Sequence, residues 1–123
     1  MSLSPRSRFS EDKIQAVLVN WLKNRSIGFQ VGLEGAKRGK IEQARMKRLG
    51  MMPGHPDITL FLQGAKTVFI ELKTESGKVS PLQKQRHEDL KGWGFDVYVV
   101  YCRDEWDAVK QMERIVKKYM EIN

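Results

Sequence analysis

Cysteine is almost absent: Cys102 is the single one in 123 residues. One cysteine excludes an intramolecular disulfide and any zinc site built on cysteine pairs, and a cytoplasmic protein is the expectation. No apolar run approaches the roughly 20 residues that a spanning helix needs, so no membrane partner is expected. Met1 to Arg8 holds two arginines but no hydrophobic stretch, so it does not read as a signal peptide. Residues 1–9 read instead as a flexible arm ahead of a single domain over 10–123. Internal repeats, linkers and low-complexity tracts are missing as well. Acidic residues are outnumbered, 15 against 22 Lys and Arg, which leaves a net charge of +7 and a pI near 9.7. That balance favours a polyanionic partner such as nucleic acid. A chain of this length can bury a core but is small for an enzyme, so a dimer acting on a two-fold substrate is a natural expectation.

The rest of the chain is organised around the stretch from Gly54-His55-Pro56-Asp57 to Glu71-Leu72-Lys73. It predicts two strands, 57–62 and 66–73, joined by Gln63-Gly64-Ala65. Both arms alternate with the period of two that marks strands. Ile58, Leu60 and Leu62 share one face, as do Val68, Ile70 and Leu72. Asp57, Thr59 and Phe61 share the other face with Phe69, Glu71 and Lys73. A hairpin closed by a three-residue loop sets Asp57 opposite Glu71, where opposed Cβ atoms lie about 4.5–5.5 Å apart. Two carboxylates and an ammonium then converge far from the turn. Like charges so placed repel unless a cation offsets them, which is the arrangement a divalent metal site needs.

Along the chain, Ser10 reads as an N-cap, with Glu11 and Asp12 suiting the positive end of a helix. Ile14, Val17, Leu18, Trp21 and Leu22 recur at helical spacing up to about Asn24. Residues 27–33 alternate loosely and predict the first strand, loosened at its end by Gly32 and Gly35. Lys37, Arg38, Lys40, Arg45, Lys47 and Arg48 stand against a single acid in that segment, Glu42. They form either a solvated surface or a phosphate-gripping one. Their place just before the Asp57 loop favours the second, and nothing in them reads as a base-specific code. Ser80-Pro81 starts a helix, and Ser80 with Gln83 makes a capping box. His87 lies one turn beyond Gln83, and both histidines read as structural or surface residues. The helix stops near Gly92-Trp93-Gly94. Phe95, Val97, Val99 and Tyr101 then predict a strand, and Val100 on its other face predicts that the strand is central. Asp104 caps a last helix with an apolar stripe of Trp106, Val109, Met112, Val116 and Tyr119. The strand–helix–strand crossover favours parallel pairing of the Glu71 and Val97 strands. An α/β fold with a mixed sheet flanked by helices is predicted.

Pro56-Asp57, thirteen residues and Glu71-Leu72-Lys73 resemble the PD-(D/E)XK nuclease signature. The approach Gly50-Met51-Met52-Pro53-Gly54-His55 and the following Gly77-Lys78-Val79-Ser80-Pro81-Leu82-Gln83 narrow the resemblance to VRR-NUC domains, over about Glu11 to Cys102. The resemblance implies a restriction-endonuclease-like αβββαβ core, here with an added C-terminal helix. It implies that Glu11 reaches the metal site, where the bare sequence equally allows a carboxylate serving the helix dipole. It implies that Gln83 points to the site, where the capping box alone would also occupy it. One of those two partners is expected to exclude the other. The main-chain carbonyl of Leu72 joins Asp57, Glu71 and Glu11 as an implied ligand of Mg²⁺, with Mn²⁺ as substitute. Mg²⁺ suits one or two carboxylates plus waters and substrate oxygens, and Lys73 suits orienting or deprotonating the attacking water. The implied activity is a metal-dependent, structure-selective DNA endonuclease, with Holliday-junction resolution by a homodimer among its forms. Alternatives are a flap or nicking nuclease and a non-catalytic DNA-binding module of the same fold. A restriction-type enzyme would need a sequence-reading element that is not found in so short a chain.

Overall fold

Period-two alternation builds the centre of the molecule. The computed structural model describes residues 4–32, 40–50 and 53–120. Along them run α1 (Ser4–Asn24), β1 (Gly28–Val31), α2 (Lys40–Arg48), β2 (Ile58–Leu62), β3 (Lys66–Thr74), α3 (Pro81–Gly92), β4 (Asp96–Cys102) and α4 (Glu105–Met120). The strands form one sheet in the order β1-β2-β3-β4. The first two pairings are antiparallel and β3–β4 is parallel, so the sheet is mixed as predicted.

One face of the sheet carries Ile58, Leu60, Leu62, Val68, Ile70, Leu72, Val100 and Cys102. It packs on Ile14, Leu18 and Leu22 of α1 and on Ala108, Met112, Ile115 and Val116 of α4. Burying each large aliphatic side chain contributes about 1.5–3 kcal/mol, so this layer carries the fold. The other face is covered by α3, around the buried residues Phe69, Glu71, His87 and Leu90.

Four expectations change. Helix α1 begins at Ser4, so Ser10 lies inside it and not at its start. Ser4-Pro5 is itself a good helix start, because proline at the first position loses no hydrogen bond. Strand β1 is shorter than residues 27–33: Ile27 N–H instead donates to Leu22 O at 3.0 Å and closes the end of α1. Strand β4 is at the edge of the sheet rather than at its centre. Both of its faces are apolar because helices lie on both sides of the sheet, and that says nothing about how many strands flank it. Trp106 is 70% exposed and leaves the stripe of α4. At 100° per residue it sits about 120° around from Met112, and Ala108 and Ile115 take its place. Asp104 does cap α4, accepting from Asp107 N at 2.8 Å. A further helix, α2, fills part of the basic segment. It makes no extensive contact with any other element among the described residues.

Candidate active site

The hairpin register pairs Ile58 with Ile70, so the next positions outward are Asp57 and Glu71. Asp57 turns its own carbonyl toward β1, where it accepts from Gly32 N at 2.8 Å. The Asp57–Glu71 position is therefore a non-hydrogen-bonded one, in which opposed side chains approach most closely. The side chain of Asp57 is aimed by the main chain: its Oδ2 accepts from Leu72 N at 2.7 Å. A strand residue directs its N–H and C=O to the same side, so the Leu72 carbonyl faces the side where Asp57 stands.

Glu71 is 1% exposed, an unusual burial for a carboxylic acid. Both of its oxygens are held by α3. Gln83 Nε2 donates to Oε2 at 3.1 Å, and His87 Nε2 lies 3.1 Å from Oε1. Burial, then the neighbouring Asp57 carboxyl and a hydrogen bond shared with it, hold the Glu71 carboxyl well above the ordinary range, against the pull of Lys73. Burial, helped by Lys91 and Lys73, pushes the His87 imidazole down. The contact between them is a hydrogen bond at a distance that would also suit an ion pair, and burial disfavours the charged form of each partner.

Gln83 serves both of its expected partners. Its Oε1 accepts from Ser80 N at 2.9 Å and its backbone N–H donates to Ser80 Oγ at 3.1 Å, which completes the capping box. The other end of the same amide holds Glu71. The expectation of one exclusive partner fails because a carboxamide has a donor end and an acceptor end. His87, read from the sequence as a structural or surface residue, is a buried partner of Glu71. Its i+4 spacing from Gln83 on α3 is the available clue. Nothing in the local sequence shows that this face of α3 lands on Glu71.

Lys73 shares the face of Glu71 and acts electrostatically on Glu11, Glu71 and His87. Glu11 accepts from the backbone N–H of Thr74, which brings the start of α1's buried stretch to the end of β3. Burial raises its carboxyl, with Lys73 opposing and Asp57 adding to the rise. The loop before Asp57 is seated on α3 through Gly54, at φ +86°. A Cβ there would come within 2.5 Å of Leu82 O and 3.0 Å of Gln83 N. The backbone that carries Asp57 thus rests on the turn that carries Gln83. His55, two residues before Asp57, accepts from Arg86 Nε at 3.4 Å and meets Phe69 edge to face.

Two carboxyls hydrogen-bonded to each other, one of them buried, fit a divalent cation, which would end the repulsion between them. Among the described residues no three His, Cys, Asp or Glu side chains form a ready ligand set. Such a cation would therefore draw on main chain, water and substrate as well, as Mg²⁺ commonly does. Lys40, Arg45, Lys47 and Arg48 are exposed on α2, with Arg45 3.6 Å from Glu42. Lys37 and Arg38 lie outside the described residues.

The model of the VRR-NUC domain family matches residues 9–104. Among solved structures, one named as a VRR_NUC domain protein superposes with a TM-score of 0.62 at 26% identity, covering 88% of each chain. Another, named as a VRR_NUC domain, superposes with a TM-score of 0.58 at 21% identity over 85% of this chain and 95% of its own, and shares the fold. No curated protein matches. With the family model spanning most of the chain and the same fold in both structures, this protein belongs to the VRR-NUC family of nuclease-fold domains.

Proposed function

We propose that this protein is a divalent-metal-dependent DNA endonuclease of the PD-(D/E)XK kind that hydrolyses phosphodiester bonds in branched DNA. One observation carries the reading: a carboxylate exposed by only 1%, Glu71, is pressed against Asp57 beside Lys73 at the open end of a hairpin. A fold tolerates such a pairing at a cost in stability, and functional sites are where such costs are retained.

Asp57, Glu71 and the Leu72 carbonyl would hold Mg²⁺ or Mn²⁺, and Glu11 would complete a second position. Such an ion supplies water activation and neutralisation of the charge on the phosphate. The chain's own residues do the remainder. The Leu72 N–H keeps Asp57 in one orientation. Gln83 and His87 each hold one Glu71 oxygen, so the carboxyl is kept in one orientation before substrate arrives. Lys73 orients the attacking water, holds or accepts a proton at Nζ and opposes the developing negative charge. Lys40, Arg45, Lys47 and Arg48 grip phosphates without reading sequence, joined in the chain by Lys37 and Arg38.

The test is a panel of linear, nicked, flap and four-way DNA with Mg²⁺ or Mn²⁺. The wild type is expected to cut branched substrates in preference, and Asp57→Ala and Glu71→Ala to fall to background with folding intact. Metal-dependent cleavage retained by either purified variant would sink the assignment. Binding without cleavage under every condition would indicate a DNA-binding module instead.

A further inference from the structure

At the C-terminal end of α3 the fold leaves a tryptophan in solvent. Trp93 is 64% exposed, and the guanidinium of Arg86 lies 5.7 Å from its ring centroid. Arg86 also donates through Nε to His55 Nδ1 at 3.4 Å. His55 meets Phe69 edge to face at 5.3 Å, and Phe69 meets the 38%-exposed Phe95 in the same way at 5.4 Å. Planar groups thus run without a gap from the loop that carries Asp57 to an exposed indole. Neither Trp93 nor Phe95 belongs to the packed layer beneath α1 and α4.

We propose that Trp93 and Arg86 form a stacking platform for an unpaired nucleobase on the strand that enters the Asp57–Glu71 site. The inference rests on the nuclease reading above, which makes DNA the ligand, and it narrows the substrate to DNA with a single-stranded segment. An exposed aromatic face with an arginine beside it suits a nucleotide: the ring stacks on the base and the cation meets the phosphate. A cleft of about 390 Å³ opens beside Phe95, and its walls hold Lys91, Lys118 and Asp96. Asp96 is already paired with Lys66 at 3.2 Å, so a strand finds room and a net positive lining.

A second copy of the chain fits this surface less well. Aromatic side chains of this size present about 150–250 Å² each, so the exposed parts of Trp93 and Phe95 offer roughly 200 Å² between them. A stable interface buries about 800 Å² per partner. A two-fold contact centred on Trp93 would also bring Arg86 toward its own symmetry mate.

Distance sets the scale of the contact. Trp93 follows Gln83 along α3, and at 1.5 Å per residue it lies about 15 Å from the turn that touches Glu71. At about 3.4 Å per stacked nucleotide, that is roughly four nucleotides from the scissile bond.

The test is equilibrium binding by fluorescence anisotropy in EDTA, so that cleavage plays no part. Labelled duplexes would carry no tail, a two-nucleotide tail or an eight-nucleotide tail. Trp93→Ala is expected to weaken binding of the long-tailed duplex about five- to hundredfold, with little change for the other two, and Trp93→Phe to recover most of the loss. Equal weakening on all three duplexes, or none on the long tail, overturns the platform while leaving the nuclease reading standing. Lost self-association in sedimentation with unchanged DNA affinity overturns it in favour of a second copy. A wild type that binds no DNA overturns both readings. Tail-dependent binding in a protein that never cuts supports the platform and removes only the nuclease reading.

Discussion

Gly54 and Gly64 both stand at positive φ, at +86° and +75°, yet their surroundings differ. Around Gly64 nothing lies within 4 Å of where a Cβ would go, whereas at Gly54 the backbone of α3 does. Gly64→Ala should therefore cost only the conformational strain, about 1–2 kcal/mol, and leave activity unchanged. Gly54→Ala adds a clash with rigid backbone, so the loop must lift from α3 and loosen Gln83 from Glu71. A loss of about 2 kcal/mol or more and a fall in cleavage should appear together in thermal unfolding and kinetics. Equal effects of the two substitutions would remove the special role of Gly54. Glu71 gives a second test, through pH. Its folded carboxyl binds a proton more tightly than the unfolded one, whose ordinary value is 4.5. As pH rises above 4.5 the unfolded state releases a proton that the folded state keeps, so metal-free stability declines through that range. A divalent ion needs the deprotonated pair, so adding Mg²⁺ should release protons and flatten the decline. Denaturant unfolding at several pH values should show a weaker slope in Glu71→Gln. An identical slope in wild type and variant would mean that Glu71 is not the group responsible.

Helix α2 is the element whose role is most open to measurement. Replacing Arg45, Lys47 and Arg48 with glutamate should weaken DNA binding alike for all sequences. The slope of log K against log salt should fall by about 0.9 for each phosphate that is no longer neutralised. Arg45 already faces Glu42, so it should contribute least of the three. A slope that does not change returns α2 to an ordinary solvated helix. Elements defined by local chemistry are legible in the sequence. The β2–β3 hairpin, the capping box of α3, its end at Gly94 with φ +98° and the Asp104 cap all rest on residues within a few positions of one another. What is not legible depends on distant partners. Burial of His87 requires α3 to cross the sheet at one angle, and the edge position of β4 requires knowing that β2 already holds the other side of β3. Trp106 misleads because apolar character marks the residues a helix could bury, while only its packing partners select the face it does bury.

Assembly is the question for the whole molecule. Resolving a four-way junction needs paired cuts, and one chain offers one Asp57–Glu71 pair, so two copies are the simplest arrangement. On α4, Met112 is buried and Tyr119 is engaged with Tyr98 and Asp96. That leaves Trp106 and Met120, 70% and 36% exposed, as the apolar surface of that helix. The two lie within about 40° of each other around the helix axis. Sedimentation at micromolar concentration should show a homodimer that Trp106→Glu converts to monomers, with paired junction cuts becoming single nicks. A wild type that stays monomeric on junction DNA and cuts one strand points to a flap or nicking nuclease. The alternation of β2 has one more consequence. If β2 slid by one residue against β3, Asp57 would turn into the layer beneath α1, while Ile58, Leu60 and Leu62, each 7% exposed or less, would face outward. Exposing three such side chains costs roughly 5–9 kcal/mol, comparable to the whole stability of a small domain. Misregistered chains therefore fail to fold instead of persisting as inactive copies, and the hydrophobic pattern of one short strand proofreads the active site.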